Sequence, residues 1–211
     1  LLLGVGTLVR IDVAVPYLAV MLYLLAVDPR HRRQHLAWGL GVLAAFLLGQ
    51  TLFRLWYYGD PLPNTYYLKM TGYPLFLRLT RGLYVTVDLA WNLNWLLALL
   101  PFGLLAFRRD RRLLLLPWMF VAQVAYSIYV GGDAWEWWGG ANRYVCLGMP
   151  AFFLFASAAM ERMGTLLLRE IDLKWAWVQR YGHYALVALA LVTLTNFDAL
   201  YSRQSLAEWL L

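Results

Sequence analysis

The sequence predicts an all-α protein, a polytopic transmembrane helical bundle of about six to seven spans with ordered loops on its outer face. Three observations favour this fold class. The chain is 62% hydrophobic and only 14% charged, and its mean hydropathy is +0.57. Soluble domains are roughly 45–50% apolar and about 25% charged. The apolar residues fall in long runs, and the basic residues cluster between those runs.

The apolar runs give the expected spans. A helix needs about 20 apolar residues to cross the roughly 30 Å hydrocarbon layer, and fewer when aromatic and basic residues anchor its ends. The runs are Val13–Val27, Leu36–Trp56, Leu83–Phe107, Leu113–Val130, Val145–Met160 and Ala185–Leu200, with Leu1–Val9 as the remnant of another span. We therefore assign residues 1–200 to a transmembrane domain and residues 201–211 to the start of an outer-face tail.

The charges of the loops predict the topology. Loops 28–35, 108–112 and 161–183 are rich in Arg and Lys, so the positive-inside rule places them in the cytoplasm. Alternation then places loops 57–81 and 131–144 outside, and within the cytoplasmic set residues 168–181 are typical of a helix lying in the membrane interface. The net charge of +6 comes from these separate clusters. No basic face for a phosphate backbone is formed, so we expect membrane lipids and no nucleic acid as partners.

The sequence offers one weak metal-binding pattern. His31 and His35 have the i, i+4 spacing that a helical metal site uses. Pro29 and the surrounding arginines favour a solvated basic loop, and we prefer that interpretation. The single cysteine, Cys146, excludes an intramolecular disulfide and a cysteine metal cluster.

The first outer loop combines turn signals with basic residues. Gly59 and Pro63 predict a structural turn, after which Asn64 and Thr65 can cap a short helix that runs through Lys69.

Three basic residues of this loop lie at the expected depth of the lipid headgroups, namely Lys69, Arg78 and Arg81. Such groups can hold the phosphate of a membrane-borne anionic substrate through charge-assisted hydrogen bonds. The alternative is that these cations snorkel and that the neighbouring tyrosines form an ordinary interfacial belt.

The second outer loop joins glycines, tryptophans and charges. Gly131 and Gly132 allow a close backbone approach, and the ring of Trp135 suits stacking against a sugar. Asp133 can take part in proton transfer, while Arg143 can pair with a phosphate or a carboxylate. An aromatic belt with a structural salt bridge between Asp133 and Arg143 explains the same residues, and both interpretations stay open.

Four charged residues lie within or beside apolar runs. Asp88 is an intramembrane carboxylate and thus a functional candidate by default. Arg54 has a structural explanation, in which it forms an ion pair with Asp88 or Asp60. Arg10 and Asp12, at the break between two apolar runs, either face an aqueous cavity or satisfy each other.

Two blocks of this sequence resemble a known family. RLWYYGDPLPNTYYLK (Arg54–Lys69) and VGGDAWEWWGGANRY (Val130–Tyr144), followed by Pro150, are similar to polytopic GT-C glycosyltransferases. The resemblance is nearest to the bacterial branch that includes terminal arabinofuranosyltransferases. Members of this branch have a "YYG-x-x-x-PNT" segment after one span and a "GGD…R…P" segment after a later one. The element Arg10-Ile11-Asp12 resembles their "R-P-D" break.

The resemblance implies an inverting transfer of a sugar from a polyprenyl-phosphate donor to a glycan, lipid or protein acceptor. It places this reaction on the outer face of the bacterial cytoplasmic (inner) membrane, with a divalent metal in several members. The residues that it carries over are Tyr58, Gly59, Pro63, Asn64, Thr65, Lys69, Gly131, Gly132, Asp133 and Arg143. Under this resemblance we expect them to line the donor side of a cavity, with Lys69 and Arg143 near the phosphate.

The same resemblance places the catalytic base in an earlier outer loop, which we expect to precede Leu1. Asp133 is then the best catalytic candidate that this chain offers. The alternative function is a non-catalytic membrane subunit that packs its glycosyltransferase-like scaffold against other membrane subunits of a larger complex.

Overall fold

A computed structural model of the protein describes residues 1–93, 95–103, 112–133, 142–170, 180–184 and 187. Every regular element within these ranges is a helix, and no strand occurs in them. The all-α prediction is confirmed. The helices are α1 (Leu2–Val9), α2 (Ala14–Val27), α3 (Arg32–Tyr58), α4 (Asn64–Met70), α5 (Leu75–Asn92), α6 (Trp95–Gly103), α7 (Leu115–Val130), α8 (Arg143–Cys146) and α9 (Met149–Glu170).

One helix in the described ranges is long and apolar enough to cross a membrane. It is the stretch Pro29–Tyr58 of 30 residues, in which a short 3-10 turn leads into α3. At 1.5 Å per residue α3 alone is about 40 Å long, which exceeds the roughly 30 Å hydrocarbon layer. The stretches Ile11–Val27 and Leu115–Val130 are apolar but shorter.

The sequence placed several helix boundaries wrongly. The single span expected over Leu83–Phe107 is two helices, because α5 ends at Asn92 and α6 begins at Trp95. The Asn92 side chain donates to Asp88 one turn earlier, and asparagine side chains compete with the helical backbone for hydrogen bonds. At its other end α5 begins at Leu75, so that Arg78 and Arg81 project from a helix and not from a loop.

The helix α9 extends ten residues beyond Met160, into the segment expected to be a cytoplasmic loop. Residues 161–170 are mainly Leu, Met, Arg and Glu, which have high helix propensity. The expected span Ala185–Leu200 apart from Val187, the tail 201–211, and most of the expected interfacial helix lie outside the described residues.

The short helix in the first outer loop is confirmed as α4. Gly59 ends α3 in the left-handed conformation with φ of 73°, and Pro63 is the extended residue directly before α4. Both therefore have the turn roles that the sequence predicted. The cap expected from Asn64 is wrong, because Asn64 is already the first helical residue and no side chain caps this helix.

Helix α7 occupies the centre of the bundle and packs against α2, α5, α8 and α9. Its contact with α5 depends on Gly82, since a Cβ atom there would lie 2.4 Å from the carbonyl oxygen of Ile128. On the other side of α7, the rings of Phe120 and Phe152 have centroids 4.8 Å apart. The close approach of α5 to α7 positions loop 57–81, which leads into α5, next to the loop that follows α7.

We expect Gly82→Ala to lower the free energy of unfolding by about 1–3 kcal/mol, because the added methyl group meets backbone of α7 that cannot move aside cheaply. Chemical unfolding in detergent micelles measures this loss. Gly41→Ala is the matched control, since nothing lies within 4 Å of a Cβ atom at that position. Equal stability of the two variants would show that the α5 to α7 contact is not tight.

Candidate functional site

The second outer block begins with two consecutive left-handed glycines. Gly131 has φ of 90° and Gly132 has φ of 79°, and both amides donate to the carbonyl of Ser127 in the last turn of α7. Side chains with a Cβ atom rarely adopt this backbone conformation. The pair turns the chain sharply, so that Asp133 points back into the protein, where its side chain is 0% exposed.

Two cationic side chains surround the Asp133 carboxylate. Arg143 donates from Nε to Oδ2 at 2.6 Å and from Nη2 to Oδ1 at 2.9 Å, which is a bidentate ion pair. Lys69 donates from Nζ to Oδ1 at 3.3 Å. The salt bridge between Asp133 and Arg143, one of the two alternatives that the sequence left open, is therefore present. Lys69 joins it from the first outer block.

Backbone contacts hold this arrangement in place. Arg81 on α5 donates to the carbonyl of Gly131 and, at 3.0 Å, to the carbonyl of Asp133. Asn142 caps α8 by accepting from the amides of Tyr144 and Val145, and it donates to the Ser127 hydroxyl at 2.8 Å. The sequence did not predict either of these two roles of Asn142, although an asparagine directly before a helix is a recognisable cap signal.

The expected pair of Arg10 and Asp12 also reaches this site. Arg10 forms a bidentate pair with Asp12, with distances of 3.0 and 2.5 Å, and its Nη2 lies 3.5 Å from the carbonyl oxygen of Arg143. Arg10 and Asp12 thus satisfy each other, as one alternative proposed. We use the name cation cluster for Arg10, Lys69, Arg81 and Arg143.

The cation cluster has a layered electrostatic arrangement. The carboxylates of Asp12 and Asp133 are 7% and 0% exposed, whereas Arg10 and Arg143 are 41% and 56% exposed. Hydrogen bonds to these carboxylates raise the pKa of both guanidinium groups, so both stay charged at physiological pH. Lys69 also lies 4.6 Å above the Tyr144 ring. The arrangement can bind an anion such as a phosphate.

Arg78 lies beside this site without joining it. Its guanidinium is 5.2 Å from the centre of the Tyr129 ring, and it donates to the Met70 sulfur and the Tyr129 carbonyl. Its Nε is buried and has no partner in the described ranges. Arg78 therefore packs against aromatic and sulfur groups.

Tyr58 and Asn64, two further residues predicted for substrate binding, line a separate cavity. This cavity has a volume of about 690 Å³ and lies where α1, α3 and α4 meet. Tyr58, Pro63 and Asn64 line it together with Arg54, Asp60 and Tyr67, but Lys69, Asp133 and Arg143 do not. The single site expected from the sequence is therefore divided between the cavity and the cation cluster.

The structural explanation expected for Arg54 is wrong. Its guanidinium makes no hydrogen bond or ion pair within the described ranges, whether with Asp60 or with Asp88. Asp60 instead accepts at one oxygen from the Leu62 amide and the Tyr67 hydroxyl. Asp88 is 7% exposed and accepts from Asn92.

Two further predicted residues cannot be placed. Trp135 lies outside the described residues, and of Thr65 only the backbone of the first turn of α4 is described.

The described residues do not fit the metal that the resemblance implies. Asp12 and Asp133 are each paired with a guanidinium, and no group of three or more His, Cys, Asp or Glu side chains in these ranges is arranged to hold a metal ion. His31 and His35 both contact Asp28, at 2.9 and 3.2 Å.

In comparisons with known proteins, no protein-family model, no curated protein and no solved structure matches the chain. Within the described residues, the fold and the site define an all-helical protein with one membrane-length helix and a cluster of cations around buried carboxylates.

We expect Asp133→Asn to lower the free energy of unfolding by about 2–3 kcal/mol, because the charge-assisted bonds from Arg143 and Lys69 are weakened together. Unfolding of the detergent-solubilised protein measures this change. Asp28→Asn is the control, since its pairs with His31 and His35 lie at the surface, where solvent weakens ion pairs. A loss no larger than the control's would contradict a structural role for Asp133.

The contacts of His31 and His35 with Asp28 give a prediction about pH. Hydrogen bonds from His35 and then His31 hold the pKa of Asp28 below its ordinary value. A lowered folded pKa adds stability that is present above the unfolded pKa of about 3.9 and is lost as pH falls through the folded value. We expect His35→Ala to raise the Asp28 pKa toward the ordinary value, as measured by carboxyl NMR titration. An unchanged titration would mean that His35 does not contact Asp28 in solution.

Proposed function

We propose that this chain is part of a polytopic membrane glycosyltransferase, which transfers a sugar from a polyprenyl-phosphate donor on the outer face of the bacterial cytoplasmic membrane. The acceptor is a glycan, lipid or protein of the cell envelope. The observation that carries this proposal is the meeting of Lys69 and Arg143 on Asp133. Lys69 belongs to the first block that resembles these enzymes, and Arg143 and Asp133 belong to the second.

The chemistry of the cation cluster supports a phosphate as the group bound. Guanidinium and ammonium groups bind phosphate oxygens through short, charge-assisted hydrogen bonds. Arg143 uses two of its nitrogens on Asp133 and is still 56% exposed, which leaves the rest of its fork open to a ligand. The buried carboxylate holds this fork in one orientation, so little conformational entropy is lost when an anion binds.

Asp133 has a positioning role in this proposal. Both of its oxygens accept from cationic donors, and its side chain is fully buried. A general base must instead reach the acceptor hydroxyl within hydrogen-bond distance. We therefore assign the base to another part of the whole protein, in agreement with the earlier outer loop that the family resemblance implies.

The proposed membrane arrangement uses α3 as one complete span. The apolar helices α2 and α7 pack against each other beside it, and α6 and α9 continue the bundle. Basic residues in loops 28–35, 108–112 and 161–183 set the cytoplasmic side under the positive-inside rule. Lys69 and Arg143 then lie on the opposite side, where a polyprenyl-phosphate sugar would present its phosphate.

A second candidate function is a non-catalytic membrane subunit of a larger complex. The occupied carboxylate of Asp133 favours it, because the ion pairs alone account for this residue as a structural support. Purification of the whole protein as a stoichiometric member of an assembly, without sugar transfer from lipid-linked donors, would support this second function.

The proposal is tested with Lys69→Ala and Arg143→Ala in the whole protein. We expect each variant to bind a polyprenyl-phosphate sugar about tenfold more weakly, a loss of about 1.4 kcal/mol. Binding is measured in detergent with the lipid-linked donor and, in parallel, with the uncharged polyprenol.

Arg30→Ala is the control, because Arg30 is an exposed arginine in the loop assigned to the cytoplasm. Donor affinity that is unchanged in both cluster variants would remove Lys69 and Arg143 from the phosphate site. A preference for the uncharged polyprenol would contradict the proposal directly.

A further inference from the structure

The cavity between α1, α3 and α4 is lined by a cation without a hydrogen-bond acceptor and by oxygen atoms without hydrogen-bond donors, as far as the described residues extend. The Arg54 guanidinium has no acceptor in the described ranges. Gln50 Oε1 is buried and receives no hydrogen bond from those residues. Asp60 accepts the Leu62 amide and the Tyr67 hydroxyl at Oδ1, and no donor from the described part of the chain reaches Oδ2. All three side chains line the same cavity.

These groups specify the charge of a ligand. Arg54 and Asp60 have opposite charges, yet they line one cavity without forming an ion pair. An anion alone would satisfy Arg54 and would be repelled by Asp60. A ligand with an anionic group and N–H donors would satisfy Arg54 at one end and Asp60 Oδ2 with Gln50 Oε1 at the other.

The position of the cavity points to a lipid. It opens at the outer end of the membrane-length helix α3, and Leu8, Phe53 and Leu62 form apolar parts of its wall. Trp56 and Tyr57 are exposed at the same helix end, as is usual for aromatic residues at the level of the headgroups. The volume of about 690 Å³ lies within the roughly 300–1,000 Å³ typical of small-molecule sites.

We propose that this cavity binds the zwitterionic headgroup of a phosphoethanolamine lipid, with the phosphate on Arg54 and the primary ammonium on Asp60 and Gln50. A choline headgroup lacks the N–H donors that the two acceptors require, and a glycerol headgroup lacks the cation. The rings of Phe53, Tyr58 and Tyr67 add favourable surroundings for the ammonium. This site is separate from the cation cluster and does not depend on the glycosyltransferase proposal.

The test is native mass spectrometry of the detergent-solubilised whole protein, titrated with short-chain phosphatidylethanolamine, phosphatidylcholine and phosphatidylglycerol. We expect phosphatidylethanolamine to bind at least about tenfold more tightly than the other two lipids. Arg54→Gln and Asp60→Asn should each weaken the binding of phosphatidylethanolamine about tenfold. Arg54 contacts no other described side chain through a polar bond, so its replacement should leave the unfolding temperature unchanged.

Arg30→Gln is the control, and it should bind phosphatidylethanolamine like the parent protein, because Arg30 is exposed and lies far along the chain from the cavity. Loss of binding in Arg30→Gln would show that the affinity follows positive charge in general and would overturn the proposal. Equal affinity for phosphatidylglycerol, or an unaffected Arg54→Gln variant, would also overturn it. Free phosphoethanolamine is the last comparison, and if it bound as tightly as the lipid, the assignment to a membrane lipid would be wrong.

Discussion

The burial of the Asp133 carboxylate is the constraint on which the arrangement of loops 57–81 and 131–144 depends. A carboxylate removed from water costs several kcal/mol unless cations and hydrogen-bond donors surround it. Lys69 supplies one of these groups from before Asp133 in the sequence, and Arg143 supplies the other from after it. The left-handed glycines Gly131 and Gly132 turn the chain so that the carboxylate faces both. The requirement to satisfy one buried charge therefore fixes how two loops, which belong to different helix pairs, meet each other.

The two polar sites of the molecule follow different electrostatic rules. In the cation cluster the carboxylates are buried behind the guanidinium groups, so the exposed surface is positive. In the cavity beside α3, Arg54 and Asp60 are both partly accessible, and neither neutralises the other. A cluster of the first kind selects anions by charge, whereas a cavity of the second kind selects by the separation of two charges within one ligand.

The sequence predicted those features that depend on local pattern. Helix α3 and its end at Gly59 follow from a long apolar run and a turn signal. The ion pair of Asp133 with Arg143, one of the two interpretations that the sequence left open, joins residues of one short loop. The contact of Lys69 with Asp133 spans 64 positions, and no spacing rule shows which loops meet after packing. The break after Asn92 lies between two apolar stretches, and an asparagine alone does not show whether a helix ends there or continues. The absence of a partner for Arg54 among the described residues depends on distances that only the folded chain defines.

In the topology proposed above, the pairing of Lys69 with Asp133 also bears on the order of events during membrane insertion. Lys69 is translated 64 residues before its carboxylate partner, so under that topology it would cross the membrane as an unpaired ammonium group, against the usual sorting of positive charge. Its neutralisation would follow only after α7 and the turn after α7 had emerged. The basic loop at 28–35 would then hold the orientation of the early helices in the interval, and the late ion pair would lock it.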